Sequence, residues 1–315
     1  MNTLFFNTTD AIIKLYILIF FGYILYRVKL IDDNFSDKLS VLVVNIIFPA
    51  LIISKIIKSF NPDAYPMWWI MPLWAMVFCV TGMALGYFVF SCLKQPHSKR
   101  EFISAVGFQN SGYLPMNLIL FLFSGLEKDK FLIYLFLFLA GFNVLMWSWA
   151  PVFLTAGKRK VSKRELFINP ALWGTVFSVI WVLFFGRDTI PKLILEPIEQ
   201  IGNMAFPLTM ITLGAYLAMH SAIIPKQKLL VVSAVLVKLV LFPLAIFLFL
   251  WFFPFSKDYR IFLFIEAIMP SAVSLVFIGA YTGSDNKFLS SVIFYSHALS
   301  VITIPLWMKF FSKFF

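Results

Sequence analysis

Gly107-Phe108-Gln109-Asn110-Ser111-Gly112-Tyr113-Leu114-Pro115 interrupts an apolar run that extends from 102 to 123. The run is long enough to cross a bilayer as a helix, and a bilayer offers no water to unpaired backbone groups. Proline removes an amide donor and clashes with the turn before it, and glycine adds backbone freedom. A helix is therefore expected to break here. Broken backbone persists at membrane depth only where it is buried in protein or lines a wet cavity. A second interruption, Glu266-Ala267-Ile268-Met269-Pro270-Ser271-Ala272-Val273-Ser274, falls in the apolar run 261–282.

The composition around these two stretches belongs to a membrane protein. Hydrophobic residues make up 61% of the 315, charged residues 13%, and the mean hydropathy is +0.90. A soluble domain carries roughly a quarter charged residues. Apolar runs at 10–28, 39–57, 67–93, 102–123, 131–154, 170–186, 195–219, 229–252, 261–282 and 288–311 predict ten spans joined by short polar turns. Even span number puts both termini on one side. Turns after odd-numbered spans carry 14 Lys and Arg and the opposite side carries 9, so the positive-inside rule places both termini outside. Lys158, Arg159, Lys160, Lys163 and Arg164 contribute most to that difference. The net charge of +11 is thus a topology signal rather than a nucleic-acid footprint. Trp68, Trp69 and Trp74 read as an interfacial belt.

The two halves repeat. Asn45-Ile46-Ile47-Phe48-Pro49 in span 2 recurs 158 positions later as Asn203-Met204-Ala205-Phe206-Pro207 in span 7, and Pro115 recurs as Pro270 after 155. Each span of the first half has a counterpart near this offset. The domain layout follows: a first five-helix repeat over 1–156, a basic cytoplasmic linker over 157–169, and a second repeat over 170–315. Five helices is an odd number, so the second copy is inverted. Inverted repeats with paired broken helices are the mark of secondary transporters, with the binding site between the breaks. Half-helix N-termini attract anions there. Gln109, Asn110, Ser111, Gly112, Tyr113 and Pro115, with Pro270, Ser271 and Ser274, are the expected substrate-binding residues. Pro49 and Pro207 are expected to kink the helices that wall the site, and Asn45 and Asn203 beside them are expected to bind substrate as well.

Glu266 lies four residues before Pro270, where a buried charge costs roughly 2.5–3.5 kcal/mol on insertion scales. Lys238 is its natural partner. The two are expected either to couple transport to protons or to form a fixed pair. Cys79 and Cys92 read as small apolar residues, and His97, His220 and His297 are too scattered for a metal site. The sequence holds no phosphate loop and no nucleophile elbow, which argues against a pump or hydrolase. No cofactor is expected and the chain is not expected to be an enzyme.

The stretches Asn45–Leu51, Gly107–Pro115, Phe206–Leu208 through Leu213–Ala215, and Met269–Val273 resemble the auxin efflux carrier family, the bacterial relatives of plant PIN carriers. The family's pattern Asn-x-Gly-Asn-x-Pro is met by Asn110, Gly112 and Pro115, while Tyr113 replaces the second Asn and trades an amide for a bulky phenol. The long cytosolic loop of the plant carriers is missing. The resemblance implies the fold of bile acid sodium symporters: a scaffold of spans 1, 2, 6 and 7, and a transport domain of spans 3–5 and 8–10 that moves as an elevator. It implies a small organic acid as cargo, a dicarboxylate such as malate or malonate in bacterial members and auxin in plant ones. It also implies a homodimer through the scaffold. Proton or sodium coupling, a location in the cell membrane and no nucleic-acid partner are expected as well. A channel or a membrane-embedded sensor on the same scaffold is the alternative.

Overall fold

The computed structural model describes residues 2–65, 67–95, 97–155, 169–187, 189–220 and 227–314, leaving aside the side chains of 2–5 and 281. All but the last residue of the expected linker 157–169 lies outside them. Among the described residues the regular structure is helical, apart from an isolated bridge taken up below. The chain is thus an all-α polytopic membrane protein. Among the described residues seven helical stretches are long and apolar enough to cross a membrane: Phe6–Arg27, Asp33–Ser59, Trp68–Leu93, Gly125–Leu154, Lys192–His220, Lys228–Phe252 and Asn286–Phe311. Tyr113–Leu122 and Pro170–Phe185 are apolar but shorter.

The order is α1 (Asn2–Arg27), α2 (Asp33–Leu42), α3 (Phe48–Ser59), α4 (Met71–Leu93), α5 (Lys99–Gly107), α6 (Tyr113–Leu122), α7 (Gly125–Val144) and α8 (Ala150–Leu154). Then come α9 (Pro170–Phe185), α10 (Lys192–Asn203), α11 (Ala205–His220), α12 (Lys228–Leu236), α13 (Phe242–Phe252), α14 (Lys257–Ala267), α15 (Ser274–Thr282) and α16 (Asn286–Phe311).

Proline sets the internal irregularities. π-turns at Val43–Ile47, Leu145–Trp149 and Val237–Leu241 join α2 to α3, α7 to α8 and α12 to α13. Each ends two residues before a proline: Pro49, Pro151 and Pro243. A proline ring clashes with the carbonyl four residues back. The wider turn relieves that clash by letting the amide ahead of the proline reach five residues back, as in Phe48 N–H to Val43 O, Ala150 N–H to Leu145 O and Phe242 N–H to Val237 O. Pro243 still orphans the carbonyl of Leu239, and the Trp307 indole N–H donates to it at 2.7 Å. Pro207 behaves differently from Pro49. The chain breaks at Met204, and Pro207 falls in the first turn of α11, where a missing amide costs nothing.

Without a hydrophobic drive between helices in lipid, close approach depends on small residues. The α1–α11 contact uses Gly22 and Gly214. A Cβ at Gly22 would lie 2.3 Å from the Ile211 carbonyl oxygen, and one at Gly214 1.9 Å from that of Ile19. The α2–α3 stretch packs on α9, α10 and α11, and a Lys58–Glu199 ion pair ties α3 to α10. On the other side α4 packs on α5 and α7, α16 on α12, α15 and α5, and Lys130 pairs with Asp258 at 2.5 Å between α7 and α14.

Candidate functional site

The two interrupted stretches meet. α5 ends at Gly107 and α14 at Ala267, and each continues as an extended segment. These segments pair antiparallel: Gln109 bridges to Ser271, Asn110 N–H donates to Pro270 O at 2.8 Å, and Ala272 N–H donates to Phe108 O at 2.9 Å. Backbone groups that the breaks remove from helices are thereby satisfied inside the protein, as a membrane interior demands. α6 and α15 then lead away. Neither proline kinks a continuous helix. Pro115 is the third residue of α6, where its amide is not needed, and Pro270 lies in the extended segment and supplies a carbonyl to the pairing.

Side chains lock this crossover. Ser271 Oγ donates to Ala105 O at 2.7 Å, and Ser296 Oγ accepts from Ser271 N–H at 3.3 Å. Asn110 Oδ1 accepts from the Tyr113 and Leu114 amides at 3.2 and 3.5 Å, capping α6. Its Nδ2 lies 3.0 Å from His297 Nε2. His297 Nδ1 faces the Ile293 carbonyl at 2.8 Å, so Nδ1 carries the proton and Nε2 accepts from Asn110. The imidazole is neutral in this arrangement, and His297 orients the cap.

A cavity opens beside the crossover. One lobe of about 80 Å³ touches Gln109, Asn110, Ser111, Gly112 and Tyr113 from one break and Ala272, Val273 and Ser274 from the other. A larger lobe of about 420 Å³ adjoins it through Tyr113, Trp147, Asn169 and Ser274, and reaches Asn45, Asp37 and Tyr216. Tyr216 donates to Asp37 Oδ1 at 3.0 Å. Among the described residues no Lys, Arg or His lines either lobe. At the crossover the backbone amides of Gly112, Val273 and Ser274 donate to no group among the described residues. All three residues border the smaller lobe, at the N-terminal ends of α6 and α15.

The residues named from sequence thus separate into four places. Asn110, Ser111, Gly112, Tyr113 and Ser274 border the smaller lobe, and Asn45 borders the larger one. Pro115, Pro270 and Ser271 are enclosed behind them and hold the crossover together. Asn203 is exposed at the end of α10 and borders neither lobe. The same Asn-x-x-Phe-Pro motif folds as a π-turn in one half and as a helix break in the other, which points the two asparagines differently. Glu266 and Lys238 are fully enclosed and line neither lobe, although Gln109 and Ser111, beside Glu266, line the smaller one. They form no salt bridge: Lys238 donates to Val106 O at 3.1 Å, and both Glu266 oxygens lack a hydrogen bond. A fixed Glu266–Lys238 pair is therefore not what holds this region.

Trp147, Asn143 and Asn169 also border the cavity, and sequence reasoning did not single them out. Trp147 lies in the π-turn before Pro151, a signal that was legible in hindsight. Asn169 is the cap of α9, accepting from Leu172 N–H at 3.0 Å, and a cap carries no sign of facing a cavity.

The comparisons agree with this architecture. The family described as Membrane transport protein matches residues 8–308. An uncharacterized transporter of Methanocaldococcus jannaschii is 22% identical over 95% of this chain and 97% of its own length. An uncharacterized transporter of Methanothermobacter thermautotrophicus is 24% identical over 96% of this chain and 98% of its own. Protein PIN-LIKES 1 of Arabidopsis thaliana is 20% identical over 98% of this chain and 79% of its own. With a family match over nearly the whole length, an all-helical membrane architecture and relatives described as transporters, the chain belongs to the membrane transport protein family of auxin efflux carriers.

Proposed function

We propose that the protein is a secondary transporter of a small organic monocarboxylate, built as ten spans in two inverted repeats and working as an elevator. The observation that carries the cargo is the set of unbonded amides of Gly112, Val273 and Ser274 at the starts of two half-helices on one cavity. Such amides and the helix dipoles behind them favour an anionic oxygen. The presence of Asp37 in the larger lobe disfavours a second carboxylate on the same cargo. The aromatic walls of Tyr113, Trp147 and Phe48 suit an apolar body. The paired breaks support the inverted repeat. The tight packing of α1 on α11 and of α3 on α9 and α10 supports a scaffold, which meets the crossover helices where α1 lies against α6 and α16.

Purified protein in liposomes, given labelled indole-3-acetate, malate or malonate under proton, sodium and voltage gradients, tests this. Saturable uptake of a monocarboxylate, accelerated by unlabelled acid on the far side, is expected. Substitution Ser274→Leu is expected to stop it by obstructing the junction that the two lobes share. Flux without such exchange would make the protein a channel, and preference for malate would overturn the monocarboxylate reading.

A further inference from the structure

The enclosed side of the crossover holds a second constellation, behind the cavity wall that Gln109 and Ser111 help to form. Lys238 has no exposed surface, and its π-turn packs against α4, α5 and α16. Its ammonium donates to Val106 O at 3.1 Å and lies 4.5 Å from the centroid of the Phe242 ring. Val106 is the last residue but one of α5, so the ammonium sits at the negative end of a half-helix. Glu266 stands near, also with no exposed surface, at the matching C-terminal end of α14. Gln109 and Ser111 face its carboxylate without closing a hydrogen bond to it. Both Glu266 oxygens, both Gln109 amide atoms and the Ser111 hydroxyl are buried and without a partner. The thiol of Cys79, on α4, is the remaining ionisable group beside Lys238.

Four unpartnered oxygens near two helix C-termini make an environment for a hard monovalent cation, which takes oxygen ligands alone. Leaving such groups bare costs on the order of 1–3 kcal/mol each, more for a charge. One positive charge is already present, and it is attached to the chain. We infer that Lys238 is a tethered cation standing in for an exchangeable alkali ion at the crossover, and that this makes the carrier indifferent to sodium and potassium. Removing the ammonium would expose a latent alkali-cation site made of Glu266, Gln109, Ser111 and the end carbonyls of α5. The inference concerns ion binding and does not depend on which acid is carried.

Thermal melting of the purified full chain in sodium, lithium, potassium or choline chloride at constant ionic strength reads this directly. The wild-type midpoint is expected to be the same in all four salts. Lys238→Ala is expected to gain a saturable rise on the order of 4 °C in at least one alkali salt over choline. Lys238→Gln, which keeps a donor for Val106 O without the charge, is expected to respond likewise. Adding Glu266→Gln to either variant is expected to abolish the response. Saturable stabilisation of the wild type by an alkali ion would overturn the inference, and so would unresponsive Lys238 variants. Failure of both variants to fold in every salt also overturns it, because an alkali ion then does not replace the ammonium.

Discussion

Asn110 spends its whole side chain on the protein. Oδ1 caps α6 and Nδ2 engages His297, so the residue shapes the site rather than contacting cargo with a free amide. Asn110→Ala removes a cap and strands the buried His297 Nε2, and each loss costs about 1 kcal/mol or somewhat more. A stability loss of roughly 2 kcal/mol is expected in a thermal melt, and His297→Ala should cost less once Asn110 is already Ala, since the two share one bond. Gly112 is different. A Cβ there would meet only Leu139 Cδ2 at 3.9 Å and Phe48 Cζ at 4.0 Å, so it fits. Gly112→Ala is expected to leave stability within about 0.5 kcal/mol while it narrows the smaller lobe. Uptake kinetics should show a raised KM, and an unchanged KM would place the cargo elsewhere. Which of these roles a residue takes was not legible from its type. Asn45 and Asn203 share one motif, yet only Asn45 borders the cavity.

At the scale of elements, proline position proved more informative than proline presence. Pro115 starts a half-helix, Pro49, Pro151 and Pro243 each follow a π-turn, and Pro270 joins an extended pairing. Sequence marks each of these as a disturbance, but the form of the disturbance depends on what can satisfy the freed carbonyl. Trp307 does so for Leu239. Trp307→Phe keeps an aromatic side chain but loses the indole N–H and strands that carbonyl, with an expected cost of roughly 1–3 kcal/mol in a thermal melt. The α1–α11 contact allows a harsher test. Gly214→Ala puts a methyl group against the Ile19 backbone, which has no rotamer to yield. Overpacking of this kind costs typically 1–3 kcal/mol or more. Size-exclusion profiles in detergent are expected to show a reduced folded fraction, whereas Gly112→Ala should look like wild type.

For the whole molecule, an elevator requires the helices around the crossover to slide past α1–α3 and α9–α11. Ser59 at the end of α3 lies 3.4 Å from Asp129 at the start of α7, and Lys55 pairs with Asp129 at 3.9 Å. These contacts join the two groups that would have to separate. A disulfide between Ser59→Cys and Asp129→Cys, in a background without Cys79 and Cys92, is expected to block uptake and to release it on reduction. Full transport by the cross-linked protein would exclude sliding at this boundary. Sequence by itself determined the solvent the chain folds in and the places where helices break. Hydropathy over some twenty residues and the chemistry of Pro and Gly are local properties, independent of partners. Tertiary structure alone decided that the two breaks pair through Gln109 and Ser271, that Trp147 and Asn169 border the cavity, and that Lys238 rests on Val106 rather than on Glu266. Those outcomes depend on the rotation of each helix about its axis, which packing against distant segments sets and no local pattern encodes.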